Sequence, residues 1–360
     1  MASRSSPWAP CLYNRTDFVA ARQPLSSRSA IVRHLYNRAR RTTLSAMAKK
    51  RSDDLDSLDR VFMTLDEAPP GLHDVDAPIG ELPNALPGPL IDLYARCDGA
   101  RIFVDTLEIV PSHDVSLDNG KWKFAILDGD DISIDQRGKI WRTDESIEDD
   151  VCEGTRLDRW LAGELDALDL LYDGDGEFAD DVFDEDGEIL PIVREKQLRA
   201  QLKRDATAPG PRWRLAHVLL EQGSAEDARD ELEQVVADDP VFAWAWLDLA
   251  RVSERLGESG NAIDEARMAA EAAGGVQHPQ AGYFWSQVAR LAVRAGDEMA
   301  RAEAATKASL LAPELKRSQI AGARERIEAG DTASAKGLLE LLRAVWPRDL
   351  EVLDLAKQLA

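Results

Sequence analysis

Four glycines, Gly223, Gly257, Gly296 and Gly330, recur 34, 39 and 34 residues apart in this chain of 360 residues. A fixed period of this length means a helical array rather than a single closed core, because each unit must bury its apolar face against the next. Other residues keep the same frame. Leu215, Leu249 and Val288 share one position and are each followed by an alanine, Ala216, Ala250 and Ala289. Ala228, Ala262 and Ala335 lie five residues after their glycine, and Pro240, Pro313 and Pro347 lie 17 after theirs. Small residues at paired positions let two antiparallel helices approach, glycine permits the tight turn between them, and proline stops the second helix. Trp246 and Trp285 occupy matching sites in the first helices of the second and third units.

The pattern resembles the tetratricopeptide repeat (TPR), with four units and a capping C-terminal helix over residues 211–360. The resemblance implies an all-α superhelix whose concave face binds a protein or peptide. The Lys, Arg and Asn clamp of the family's peptide receptors has no residue-by-residue match here. Two departures predict a kink between the second and third units. Gly274 stands where the proline belongs, with five extra residues near Gly275–Gln280, and Arg301 replaces the alanine of the third unit. Trp246, Trp285, Leu215, Leu249 and the frame alanines read as core.

Charge divides the rest. The total of 44 basic and 66 acidic residues gives −22. Residues 1–46 hold eight arginines and one acid, Asp17, and read as a disordered basic segment: untranslated sequence upstream of a start at Met47, a transit peptide, or a basic arm. Residues 52–190 hold ten basic and 38 acidic side chains, and residues 191–360 hold 23 and 27. Such acidity argues against nucleic-acid partners. No apolar run is long enough to span a membrane. Cys11, Cys97 and Cys152 form no CxxC pair, which points to a reducing, cytoplasmic setting.

Residues 52–190 predict an α+β domain. Leu55, Leu58, Val61, Phe62 and Leu65 share a helix face, and a second helix follows Leu86-Pro87-Gly88-Pro89 and ends at Cys97-Asp98-Gly99. Strand-like runs cover Arg101–Val104, Thr106–Val110, Trp122–Leu127, Ile132–Ile134 and Lys139–Trp141, the last two joined by an Asp135–Gly138 hairpin. A helix recurs around Leu157, Trp160, Leu161, Leu165 and Leu168. The Leu86-Pro87 step, the Asp98-Gly99 turn before Phe103, the Gly129-Asp130-Asp131 turn and Arg159-Trp160-Leu161 together resemble the SUKH superfamily of Smi/Knr-type proteins. That resemblance covers about residues 82–175. It implies a mixed sheet with flanking helices and a non-enzymatic binding domain, used in bacteria as an immunity protein against a toxin, often a nuclease. Residues 191–210 read as a linker.

The candidate partner-binding surface is acidic: Asp128, Asp130, Asp131, Asp173, Asp175, Glu177, Asp180, Asp181, Asp184 and Asp186. Its charge would attract a basic partner such as a toxin. Asp173-Gly174-Asp175-Gly176-Glu177 opens like a calcium loop but has Phe178 at the sixth position and Asp184 at the twelfth, where glycine and glutamate belong. No nucleotide loop, hydrolase elbow or zinc motif occurs, so neither cofactor, metal nor enzymatic activity is expected. The competing functions are a hydrolase using the Asp173–Asp186 carboxylates with a metal, and a TPR scaffold or co-chaperone.

Overall fold

The computed structural model describes residues 58–359, apart from 70, 81, 83–85, 145, 146, 174 and 180. The basic segment 1–46 and candidate residue Asp180 lie outside the described residues. The described chain forms two compact units that divide between Ser224 and Ala225.

The first unit is built on an eight-stranded sheet. Its strands are β1 (His73–Val75), β2 (Ala100–Ile102), β3 (Leu107–Ile109), β4 (Ser116–Asp118), β5 (Lys121–Leu127), β6 (Asp130–Asp135), β7 (Ile140–Asp144) and β8 (Asp149–Gly154). The order is β1-β2-β3-β5-β6-β7-β8, with β4 paired to β5. A mixed sheet is the sequence expectation, but every pairing is antiparallel. Tight turns with Gly120, Gly129 and Gly138 at positive φ join β4 to β5, β5 to β6 and β6 to β7, which fixes those pairs antiparallel, while β1 and β2 pair antiparallel across the longer connection of residues 76–99. Helices α1 (Leu58–Asp66), α2 (Gly88–Tyr94) and α3 (Leu157–Leu168) supply the remaining core. Phe124 of β5 meets Trp160 of α3 edge to face at 5.7 Å, within a cluster that includes Leu90, Ile132, Ile134 and Leu161.

Residues 191–210, read from sequence as a linker, carry helix α4 (Pro191–Arg204) and the start of α5 (Pro209–Glu221). Both lie in the first unit, α4 against α3 and α5 against β8. Proline at each helix start explains the order, since a fixed φ and a missing N–H suit the first turn.

The second unit holds α6 (Ala225–Asp238), α7 (Ala243–Arg255), α8 (Ser259–Gly275), α9 (Ala281–Ala295), α10 (Glu298–Leu311), α11 (Leu315–Glu328), α12 (Thr332–Val345) and α13 (Leu350–Gln358). The frame glycines end α5, α7, α9 and α11 in the left-handed region, and at each end the next residue's N–H reaches back to the same kind of carbonyl, as from Glu258 to Ser253 and from Asp297 to Ala292. The extra residues expected to kink the array between the second and third units are taken up in part by α8, which lengthens to 17 residues and takes in Gly274 and Gly275, and α9 packs along it. A packing irregularity falls one unit later. α12, not α11, packs against α9 and α10, while α11 packs on α12 and α13. Arg301, at the position alanine holds in the other units, donates to the Ala344 carbonyl near the end of α12 at 3.0 Å, and Arg294 of α9 reaches Glu340 of α12 at 2.5 Å.

Candidate functional site

The sequence expects strand through Val104, but the chain leaves β2 at Ile102. Phe103, Val104 and Asp105 then run consecutively at φ 52°, 51° and 71°. Left-handed backbone costs an L-residue roughly 1–2 kcal/mol each, and most for β-branched valine, so the surroundings must impose it. The Phe103 N–H donates to His73 Nδ1 at 3.1 Å and the Val104 N–H to the Leu72 carbonyl at 3.1 Å. The Phe103 carbonyl accepts from the Thr106 hydroxyl at 2.8 Å and the Tyr172 hydroxyl at 3.2 Å. Burial holds the His73 imidazole below its usual pKa, which keeps Nδ1 free to accept.

An aromatic stack continues from this turn. His73 meets Phe103 edge-on at 4.7 Å, Phe103 stacks on Tyr172 at 5.0 Å, Tyr172 on Phe178 at 4.8 Å, and Phe178 meets Phe183 edge-on at 5.2 Å. Phe103 is buried, whereas Val104 is 65% and Phe178 56% exposed. A cavity of about 390 Å³ opens beside the turn, walled by His73, Asp74, Arg101, Val104 and Asp105. Arg101 there pairs with Asp74 and, at 3.8 Å, with Asp105.

Tyr172 and Phe178 close one small hairpin, and Phe183 and Ile189 a second. Both have the same internal bonding. Asp173 Oδ1 accepts the N–H groups of Asp175 and Glu177, and Asp184 Oδ1 those of Asp186 and Glu188. The two loops are therefore twin turn caps, in which one oxygen of each leading aspartate is spent on backbone. Among the described residues no group of three or more His, Cys, Asp or Glu side chains is placed to hold a metal ion.

The acidic candidates fall into three sets. Asp130 and Asp131 are paired across strands, with Arg142 at 2.5 Å and Lys123 at 2.6 Å. Asp173 and Asp184 cap their turns. Asp175, Glu177, Asp181 and Asp186 are exposed and make no ion pair among the described residues. Asp128, at φ 57°, is also exposed, and its N–H donates to the Thr106 carbonyl at 2.9 Å, so the β5–β6 turn stands beside the strained corner.

A second polar centre is internal. Glu153 of β8 is buried, and Arg214 of α5 grips both its oxygens, one at 2.7 Å. Gly210 lies so near that an added Cβ would come within 2.8 Å of Glu153 Oε1. Glu164 of α3 completes the cluster. Burial first, and the Glu153 charge second, lift its carboxyl to about 7, while Gln201 donates to it at 2.8 Å.

In the second unit, corresponding positions of α7 and α9 form a ladder: Trp244, Asp248, Arg251 and Arg255 on one, Tyr283, Gln287, Arg290 and Arg294 on the other. Arg251 bonds Asp248 at 2.7 Å and the Tyr283 hydroxyl at 3.5 Å, and Trp244 lies 5.9 Å from the Tyr283 ring. Glu254 binds Arg290 through both oxygens at 3.1 Å and Arg294 at 2.7 Å. Trp244 is only 8% exposed, yet its indole N–H has no hydrogen-bond partner among the described residues. The same frame positions on α5 are Gly210, Arg214, His217 and Glu221, of which Gly210 and Arg214 are committed to Glu153.

Sequence reasoning missed three features here. The second hairpin is expected from the Asp186-Gly187 turn before Glu188-Ile189-Leu190, but its twin was missed, although Tyr172-Asp-Gly-Asp-Gly-Glu-Phe178 has the pattern of Phe183-Asp-Glu-Asp-Gly-Glu-Ile189 eleven residues earlier. The α7 and α9 ladder was legible by applying the 39-residue offset to polar positions. The strained turn carried no local signal, since neither glycine nor asparagine marks it.

No family model matches the sequence, and no curated protein does. Solved structures resemble part of it. The MamA protein shares 18% identity over 42% of this chain and 80% of its own, at a TM-score of 0.30. YrrB, described as a TPR protein with an unusual peptide-binding site, shares 13% over 45% and 81%, at 0.30. The C-terminal part of a TPR repeat-containing protein from Cytophaga hutchinsonii shares 15% over 46% and 66%, at 0.31. The helix-pair assignment in this chain stands on its own turn glycines and packing. Among the described residues no helix is long and apolar enough to cross a membrane.

Proposed function

We propose that this chain is a non-enzymatic interaction protein whose acidic sheet unit engages a basic protein. Charge left unpaired carries the reading. Residues 58–224 hold 38 acidic and 17 basic side chains, and Asp175, Glu177, Asp181 and Asp186 are exposed with no cation against them among the described residues. Such a surface speeds encounter with a basic partner and loses that advantage as salt rises. The SUKH resemblance sharpens the reading to an immunity protein whose partner is a basic toxin, such as a nuclease, blocked at its phosphate-binding cleft. Affinity capture with the full chain, washed at increasing salt, tests this. Basic partners released by salt support it, and capture of only neutral or acidic partners, insensitive to salt, overturns it.

A second surface is offered by the helix pairs, as a scaffold for a protein or peptide. The indole N–H of Trp244, beside Arg251 and Tyr283 and without a partner among the described residues, favours it, since a buried donor gains by meeting an acceptor. Loss of a captured partner on Trp244→Phe, which removes the donor and keeps an aromatic ring, assigns that partner to the helices. Retention assigns it elsewhere.

A further inference from the structure

We infer that Val104 and Phe178 form the apolar centre of one docking surface for a basic polypeptide, with the twin acidic hairpins and Asp128 as its rim. The inference rests on the acidic-unit reading above and names the place on that unit where the partner sits. Val104 is held in left-handed backbone by bonds from both flanks and is turned largely to solvent, so the fold spends strain to keep an apolar side chain outside the core. Phe178 is joined to the same turn through two ring stacks, Phe103 on Tyr172 and Tyr172 on Phe178, and is itself more than half exposed. Apolar groups pre-positioned within a polar rim are the anatomy of an interface centre. The cavity beside Val104 has room for one partner side chain, and its walls bear two carboxylates against one guanidinium.

Charge chooses the occupant. The rim carboxylates of Asp175, Glu177, Asp181 and Asp186 have no cation among the described residues, so burying them calls for cations supplied by the partner. A second copy would bring the same acidic rim, and a nucleic acid or anionic membrane would bring phosphates. Each would be repelled. A polypeptide alternating basic and apolar side chains satisfies both the rim and the centre.

The full chain is titrated with a short peptide alternating arginine and leucine, with the same peptide carrying serine for leucine, with its glutamate-for-arginine analogue, and with phosphatidylserine vesicles. The arginine–leucine peptide is expected to bind tightest, and Val104→Gly and Phe178→Ser are each expected to weaken it about tenfold or more. Val104→Gly relieves the backbone, so its melting temperature should hold or rise while binding falls, a split that a purely structural role does not produce. It carries the test should Phe178→Ser fail to fold. Asp175→Asn with Glu177→Gln should weaken binding and flatten its salt dependence. Wild-type affinity in both apolar variants, or equal affinity for the serine peptide, overturns this surface and leaves the acidic-unit reading standing. Failure of every basic peptide to bind, or preference for the glutamate peptide or the vesicles, overturns both.

Discussion

Glu265 of α8 shows how one side chain can set a pH response. It is buried, one carboxylate oxygen has no partner among the described residues, and the groups around it are Ser253, Arg229, Glu258 and Glu233. Burial lifts its carboxyl to about 8 against an ordinary 4.5. The folded chain therefore keeps a proton that the unfolded chain gives up between those values, so this residue's contribution falls as pH rises from about 4.5 to about 8 and is level above. Glu265→Gln keeps the shape and removes the ionisation. Urea unfolding should show the variant more stable than the parent by on the order of 2–3 kcal/mol at high pH, with little difference near pH 5. His73 works in the opposite direction. Its depressed pKa means that stability at the strained turn is lost as pH falls below its ordinary value of 6.5, because a protonated Nδ1 cannot accept the Phe103 N–H. Faster amide exchange of Phe103 and Val104 on acidification checks this, and unchanged exchange refutes it.

At the scale of elements, the most consequential joint is α5 on β8. Arg214 neutralises a glutamate that is almost wholly buried, and truncating one member of such a pair typically costs about 3–5 kcal/mol because the other is left charged in a poor solvent. Arg214→Met should cost that much, and adding Glu153→Leu should recover most of it, so the two changes should be strongly non-additive in a double-mutant cycle. Elements also show what could be read beforehand. The turn glycines are legible because their requirement is local: a helix end needs left-handed backbone, and only glycine adopts it without strain. The acidic candidates are legible as a set, but not their fates, because Asp130 and Asp131 meet Arg142 and Lys123 only through cross-strand register. Val104 reads as strand because valine favours strands, and its actual conformation is imposed by Leu72 and the bonds around Phe103, distant in sequence. Residues 191–210 look like a connection because their hydrophobic pattern is weak, yet their basic side chains fix them to the acidic unit, as with Arg204 on Asp166 at 2.6 Å.

For the whole molecule, the two units should answer salt differently. Residues 58–224 carry a net charge of −21 and residues 225–360 only −8. In the first unit, carboxylates of the twin hairpins repel one another with no cation between them among the described residues, and repulsion of this kind weakens a compact state. In the second, charges of opposite sign are interlaced, as in the run Arg290, Glu254, Arg294, Glu340. Screening falls to a length of about 10 Å at 0.1 M salt and about 3 Å at 1 M. Added sodium chloride should therefore raise the melting temperature of the sheet unit by relieving repulsion, and leave that of the helix unit unchanged or slightly lower by weakening attraction. Scanning calorimetry of the full chain, with Trp160 fluorescence of a variant lacking the other tryptophans to assign the sheet transition, separates the two. A common upward shift would mean that salt acts through general hydrophobic strengthening and not through this charge asymmetry. Sodium sulfate, which strengthens burial everywhere, is the control expected to raise both transitions.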